Sequence, residues 1–287
     1  MKNYVISSIF IAGVMCMASC GGSDENPEKD LYEAVSASAF SYVSDNATGV
    51  GKVFDGPTYR VSYDNASLTA TVKMENVRYA DGEQPKSLVF SNVDWRFDNR
   101  TKARIIDASR LTPDGASAPV VTDLRIVTLA KAEVGDSEMD GMAVSYDVDG
   151  AVAVTNVPYR TVFAGTTETV NTGSQSSFVS TEPIYSVDII PGTMTAVLKI
   201  TGAKFDPNMP PLGVMEFSDL DVTIVDGGYI LTSASLVPTI AGTPYPRYAV
   251  TGLRMEVELD GDSELRFTCM GVFDVAAVFE AAYTPAD

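Results

Sequence analysis

Apolar residues recur at every second position over several stretches of this chain. Leu68, Ala70, Val72 and Met74 alternate with Thr69, Thr71 and Lys73, and Leu220, Val222 and Ile224 alternate in the same way. A period of two puts one row of side chains on a buried face and the other in water, so these stretches predict half-buried strands. Leu88 and Phe90 fall on one parity and Val93, Trp95 and Phe97 on the other, which predicts a bulge or bend near Ser91-Asn92. Phe217-Ser218-Asp219-Leu220 changes parity too. Turn residues follow these runs at Asp98-Asn99-Arg100 and Asp226-Gly227-Gly228, and later at Gly135-Asp136 and Gly261-Asp262. Leu31 to Val43 has tolerable helix propensity but no apolar stripe, and reads as a linker or a first strand. The pattern predicts an all-β chain.

The chain also repeats itself. Shifting the second half over the first by about 126 residues brings Pro57-Thr58-Tyr59 onto Pro183-Ile184-Tyr185, and the strand from Leu68 to Met74 onto Met194 to Ile200. Phe90-Ser91-Asn92-Val93-Asp94 lies over Phe217-Ser218-Asp219-Leu220-Asp221 after a one-residue slip, and Gly135-Asp136-Ser137-Glu138 returns unchanged as Gly261-Asp262-Ser263-Glu264. Several matches in one order imply a duplicated domain, which a short solenoid repeat would not give. Two tandem homologous antiparallel β-meander units are expected, at 36–160 and 161–287, each with room for six to eight strands.

Ahead of them, Lys2, the apolar run Ile6 to Met17 and the small residues Ala18-Ser19 before Cys20 have the marks of an export signal over 1–19. The run is short for a transmembrane span. Ala18-Ser19-Cys20 fits a lipobox, which would leave Cys20 acylated. Residues 20–35 are then expected to hold this lipidated cysteine and a polar, acidic tether with too little apolar content to fold.

The chain carries 38 acidic and 20 basic residues, for a net charge of −18. Nucleic acid is therefore excluded as an expected partner, since binding it needs clustered Lys and Arg. Membrane attachment would come from acyl chains on Cys20 and not from a basic patch. Histidine is absent, which removes Ser-His-Asp and Cys-His catalysis and imidazole metal sites. With Cys16 in the signal and Cys20 acylated, Cys269 stands alone in a strand-like segment and reads as a buried, inert thiol.

The lipobox, the acidic tether and the duplicated meander units with tyrosine-containing strand starts resemble the calycin-like β-barrel surface lipoproteins of gut Gram-negative anaerobes. The resemblance implies calycin-like barrels or flattened sandwiches anchored in the outer membrane. An acidic segment such as Ser23-Asp24-Glu25 resembles a surface-export signal in that group, which implies an outward-facing protein, with a periplasm-facing one as the alternative. No catalytic residues come with it.

Three constellations could carry chemistry. Asp136, Glu138 and Asp140, with Gly141 and then Asp147, approximate the spacing of a calcium loop, against the alternative of a solvated hairpin turn. Asp219 and Asp221, equivalent to Asn92 and Asp94, lie two apart in a strand, so their carboxylates would be about 7 Å apart, as glycoside hydrolysis could use; the same spacing describes the wet face of a strand. Trp95, the only tryptophan, is either a contact residue or core, and Tyr245 and Tyr248 flank the stiff Pro244-Tyr245-Pro246 connection, where aromatic rings could stack on a sugar or a partner's side chains. No other cofactor is expected. The composite expectation is a non-enzymatic binding or adhesion lipoprotein of the cell envelope that recognises a glycan, a small amphiphile or an envelope protein. The alternatives are a carboxylate-only glycoside hydrolase and a structural envelope component.

Overall fold

The computed structural model describes residues 31–116, 119–134 and 137–285; Cys20, the expected signal and most of the expected tether lie outside them. The first half runs β1 (Leu31–Ser36), β2 (Ala39–Asp45), β3 (Gly51–Asp55), β4 (Thr58–Asp64), β5 (Thr69–Val77), β6 (Lys86–Asp94), β7 (Arg96–Asp98), β8 (Ala103–Leu111), β9 (Val121–Val134), β10 (Ser137–Val148) and β11 (Val152–Pro158). The second runs β12 (Arg160–Asn171), β13 (Ser176–Ser180), β14 (Ile184–Ile190), β15 (Thr195–Thr201), β16 (Met215–Val225), β17 (Gly228–Leu236), β18 (Thr239–Ile240), β19 (Thr243–Pro244), β20 (Val250–Glu258), β21 (Ser263–Cys269), β22 (Phe273–Phe279) and β23 (Thr284–Pro285). The fold is all-β and antiparallel, and among the described residues no helix is long and apolar enough to cross a membrane.

In the second half the meander closes into a barrel. The order β12-β14-β15-β16-β17-β20-β21-β22 returns to β12. That strand serves both ends of the circuit: Arg160 to Ala164 pair with β14, and Gly165 to Asn171 pair with β22. Gly165 sits at the changeover, where a Cβ would stand 2.1 Å from the carbonyl oxygen of Val278, so the approach of the closing strands requires glycine there. Closure leaves no long unpaired edge around the barrel wall.

The first half follows the same pairing order with its closing strand broken. β1 pairs with β4, β2 pairs with β11, and residues 37 and 38 form the corner between them. A second corner at Trp95 separates β6 from β7. The result is a flattened pair of sheets, β1-β4-β5-β6 over β3-β2-β11-β10-β9-β8-β7.

Backbone irregularities recur at matching places in the two halves. Left-handed residues occur at Leu68 and Met194, at Asn76 and Gly202, at Asn92 and Asp219, and at Lys102 and Gly227. The β5–β6 ladder slips between Ala70 and Val72, and the β15–β16 ladder between Ala196 and Leu198. The parity change read in the sequence is thus a bulge, with Asn92 and Asp219 in the conformation that lets two residues oppose one. The segment around Leu31 is strand, so the chain is already paired to β4 at residues 31–35, where the tether was expected to continue.

Each half has its interior filled by side chains from alternate strand positions, with Tyr59, Tyr63 and Phe90 in the first and Phe163, Tyr185, Phe217 and Phe279 in the second all fully buried. Two of the buried tyrosine hydroxyls pair with hydroxyl groups, Tyr59 with Ser41 at 3.2 Å and Tyr185 with Thr167 at 2.6 Å, whereas the hydroxyl of the fully buried Tyr229 has no partner. Burial pushes the Tyr185 phenol up to about 12.

One hydrophobic cluster spans the two halves, joining Phe40, Ile105, Val127 and Leu129 to Phe163, Tyr185, Phe267 and Phe279. This explains the run Ile126 to Leu129 in β9, buried on both faces: Ile126 faces the interior of the first half, while Val127 and Leu129 belong to the shared core. At its edge Arg125 bonds Asp107 at 2.7 Å and also pairs with Asp260 from the second half.

Candidate functional site

The sequence-predicted aromatic pair sits on a cap at one end of the barrel. β18 and β19 form a tight hairpin whose turn residues, Ala241 and Gly242, both have left-handed backbones, the geometry that suits the twist of a two-residue hairpin. β18 extends the start of β16 through Met215↔Ile240 and Glu216↔Thr239. A single 3-10 turn, Pro246–Tyr248, follows, with proline at its start. The Tyr245 amide donates to the Pro238 carbonyl at 2.9 Å and the Met270 amide to the Ala249 carbonyl at 2.9 Å, so both ends of the connection are fastened to the scaffold.

Tyr245 and Tyr248 take different positions on this cap. Their ring centroids are 6.3 Å apart, and Tyr248 is half-buried with its ring 6.4 Å from that of Phe205. Tyr245 is 42% exposed; Val237, just before β18, and Val214, just before β16, are exposed as well. Arg247 stands between the tyrosines and is exposed. Tyrosine and arginine carry apolar area together with a polar end, which is the chemistry enriched at protein contact surfaces. Beneath the cap, Cys269 is fully buried, its Sγ 3.7 Å from the Tyr248 carbonyl. Burial pushes its thiol up to about 12, which removes the thiolate a nucleophile needs.

The remaining predicted residues are dispersed. Trp95 is core and not a contact residue: it is 8% exposed, its ring packs edge-on to Tyr63 at 5.3 Å, and its Nε1 donates to the Asp64 carbonyl at 3.2 Å. Asp136 and the side chain of Glu138 lie outside the described residues. Ser137–Val148 is a single strand where the calcium reading needs a loop. Asp140 and Asp147 therefore stand about 20 Å apart by strand rise and cannot share an ion. Asp140 accepts from Thr284 Oγ1 at 3.2 Å. Asp147 is held above the ordinary carboxylate range by burial, with the charges of Asp123 and Asp226 adding to it against a hydrogen bond from Asn46. No group of three or more metal-binding side chains occurs among the described residues. Asp219 and Asp221 are both exposed, as are Asn92 and Asp94, on the outer faces of β16 and β6. With Asp219 turned by the bulge, the two carboxylates share no enclosed site.

A feature the sequence reading missed is a cleft of about 520 Å³ alongside β1. Its near wall is Tyr32 to Ser36 of that strand and the corner at Ala37-Ser38, and its far wall carries Thr128, Gly141 and Met142 from β9 and β10. Arg60, Lys131, Arg160, Glu33 and Asp140 stand around it. At its inner end Ser36 accepts from Asn156 Nδ2 at 3.0 Å, and Asn156, fully buried, has no partner for its Oδ1. Only the small-residue run Ser36-Ala37-Ser38-Ala39, which permits the corner, could have hinted at it.

No protein-family model matches the chain, and no curated protein matches it. Among solved structures, it is similar to intact Ap-TbpB with its N and C lobes at 11% identity, over 88% of this chain and 79% of that one, with a TM-score of 0.26. It is also similar to a tryptophan-to-alanine mutant of transferrin binding protein B, a vaccine antigen from Haemophilus parasuis, at 10% identity over 89% and 78%, with a TM-score of 0.23. At such scores the likeness carries neither fold nor function to this chain.

Proposed function

We propose that this chain is a lipid-anchored, non-enzymatic binding protein of the outer membrane, facing outward, whose duplicated β-units present a contact surface to an envelope protein or a glycan. The observation that carries the reading is the cap: an exposed tyrosine beside an arginine, on a connection fastened at both ends, over an interior filled by side chains. A rigid aromatic loses little conformational entropy on contact, so such a surface binds with low ordering cost. The filled interiors favour contact from outside over carriage of an amphiphile within. Anchoring rests on the residues before and at Cys20, and the resemblance to calycin-like surface lipoproteins of gut anaerobes rests on the same leader and the repeat.

The reading is tested in intact cells with a photo-crosslinking amino acid at position 245 and, as a control, at the exposed Val278 on the opposite barrel strand. A discrete adduct from position 245, absent at 278 and lost in the Tyr248→Ala background, is the expected outcome. Equal labelling at both positions removes the cap from consideration. Radiolabelled palmitate incorporated into the wild type and not into Cys20→Ser is expected in the same cells.

A further inference from the structure

The two halves treat one cation differently. Arg78 opens the connection from β5 to β6, and its counterpart under the repeat shift is Lys204, which follows β15. In the second half the Lys204 ammonium lies over the ring of Phe178, 5.3 Å from its centroid. Phe178 sits on β13 opposite Thr169, and the same register in the first half puts Lys52 on β3 opposite Val43. The barrel thus covers its cation with an aromatic ring, whereas the first half has a second cation at the ring's position. Lys52 has its own counter-ion, Asp81. Arg78 has none: among the described residues its half-buried guanidinium makes no ion pair or hydrogen bond, and its Nε is buried without an acceptor.

Arg78 lines a recess of about 430 Å³ between β3 and the β5–β6 connection, with Val53, Phe54 and Pro85 as its apolar wall. Both carboxylates in the lining, Asp81 and Glu83, are already engaged. Asp81 pairs with Lys52, while Glu83 pairs with Lys86 and accepts from the Tyr79 amide at 2.8 Å. The hydrogen bond from Lys86 holds the Glu83 carboxyl below its ordinary range. Lys52, Arg78 and Lys86 therefore face Asp81 and Glu83 with one positive charge in excess, on a chain whose net charge is −18. A guanidinium that is partly desolvated and unpaired has lost hydration without return, and an anion that enters the recess restores it.

We infer that this recess binds a small ligand that carries one carboxylate and an apolar face, with Arg78 as its anchor. A guanidinium presents paired N–H donors that match the two oxygens of a carboxylate. Phe54, Val53 and Pro85 suit the apolar part, and the volume falls within the range of about 300–1,000 Å³ of small-molecule sites. The single excess charge also sets the ligand's charge. A second negative charge, as on a phosphate monoester, would meet Asp81 and Glu83 without compensation, so the site selects a monoanion. The recess lies in the first half, apart from the tyrosine cap, and its occupancy is independent of what the cap contacts.

The probe is benzoate, titrated into the full chain and followed by NMR at the backbone amides of residues 80–84 and at the Arg78 Nε–H. Saturable shifts are expected at these signals, with binding at least about tenfold weaker for neutral benzyl alcohol and for the dianion phenyl phosphate. Arg78→Gln is expected to weaken benzoate at least about tenfold, as removal of a charged partner does, without lowering the melting temperature, since this guanidinium has no partner in the protein to lose. Lys52→Phe keeps Arg78 but reproduces the aromatic cover of the second half, and is expected to weaken benzoate comparably. Lys204→Gln is expected to leave binding unchanged. Three results would overturn the inference: no saturable shift at residues 80–84, benzoate binding that Arg78→Gln leaves intact, or phenyl phosphate bound as tightly as benzoate.

Discussion

Phe279→Ala tests whether the shared core makes the two halves one cooperative unit. Phe279 is fully buried on β22, where the barrel closes against β12, and its ring lies 4.9 Å from Tyr185 and 5.2 Å from Phe163. Truncating a buried phenylalanine costs about 3–5 kcal/mol through lost burial and the cavity left behind. Two aromatic contacts of about 0.5–1.5 kcal/mol each place this site in the upper part of that range. At about 2–4 °C per kcal/mol for a chain of this size, the melting temperature should fall by about 8–20 °C. The informative readout is in the other half. Trp95, the only tryptophan, is buried in the core of the first half, so its fluorescence reports that half alone, while far-UV circular dichroism reports both. Because Phe279 shares a cluster with Phe40, Ile105, Val127 and Leu129, urea unfolding curves from the two probes should shift together and remain superimposed. A dichroism curve that splits, with the Trp95 transition left at its wild-type midpoint, would refute the coupling.

Two other predictions follow from single groups. Asp147 has its folded-state pKa raised, chiefly by burial and then by Asp123 and Asp226, so the folded protein holds that proton more tightly than the unfolded chain. Its contribution is favourable at low pH and is lost as pH rises from the ordinary value of 3.8 through the folded one. Asp147→Asn should therefore be more stable than wild type at pH 7, with the difference closing in acid; denaturant midpoints measured from pH 3 to 7 check this, and a less stable variant at pH 7 contradicts it. Cys269, fully buried with its thiol pushed up to about 12, should resist Ellman's reagent in a Cys16→Ser/Cys20→Ser background until denaturant is added; rapid labelling of the folded protein would contradict the burial.

Strand type was legible wherever one face met a core and the other met water. The alternation from Leu68 to Met74 and from Leu220 to Ile224 reappears as the burial pattern of β5 and β16, and the parity change near Asn92 is the bulge. β9 was harder to read because the shared core buries both of its faces from Ile126 to Leu129, which erases the period of two. The segment from Leu31 was ambiguous for a different reason. β1 buries only one face, and only partly, so Leu31 and Val35 remain exposed at 61% and 39%. Its strand character comes from pairing with β4, a long-range contact that local pattern does not encode.

The same difference in range separates the two candidate surfaces. The tyrosine cap was visible because its determinants are local: two prolines around Tyr245 and a three-residue turn before Ala249. The cleft depends on where the chain goes after β11. In the second half the residues after β22 stay beside β12 and bridge it at Tyr283, whereas Pro158 and Tyr159 carry the chain out of the first half and into the next. Joining the two halves end to end thus has a structural consequence: the upstream half gives its trailing segment to the connection, and among the described residues β1 has no strand on the side which that segment would cover.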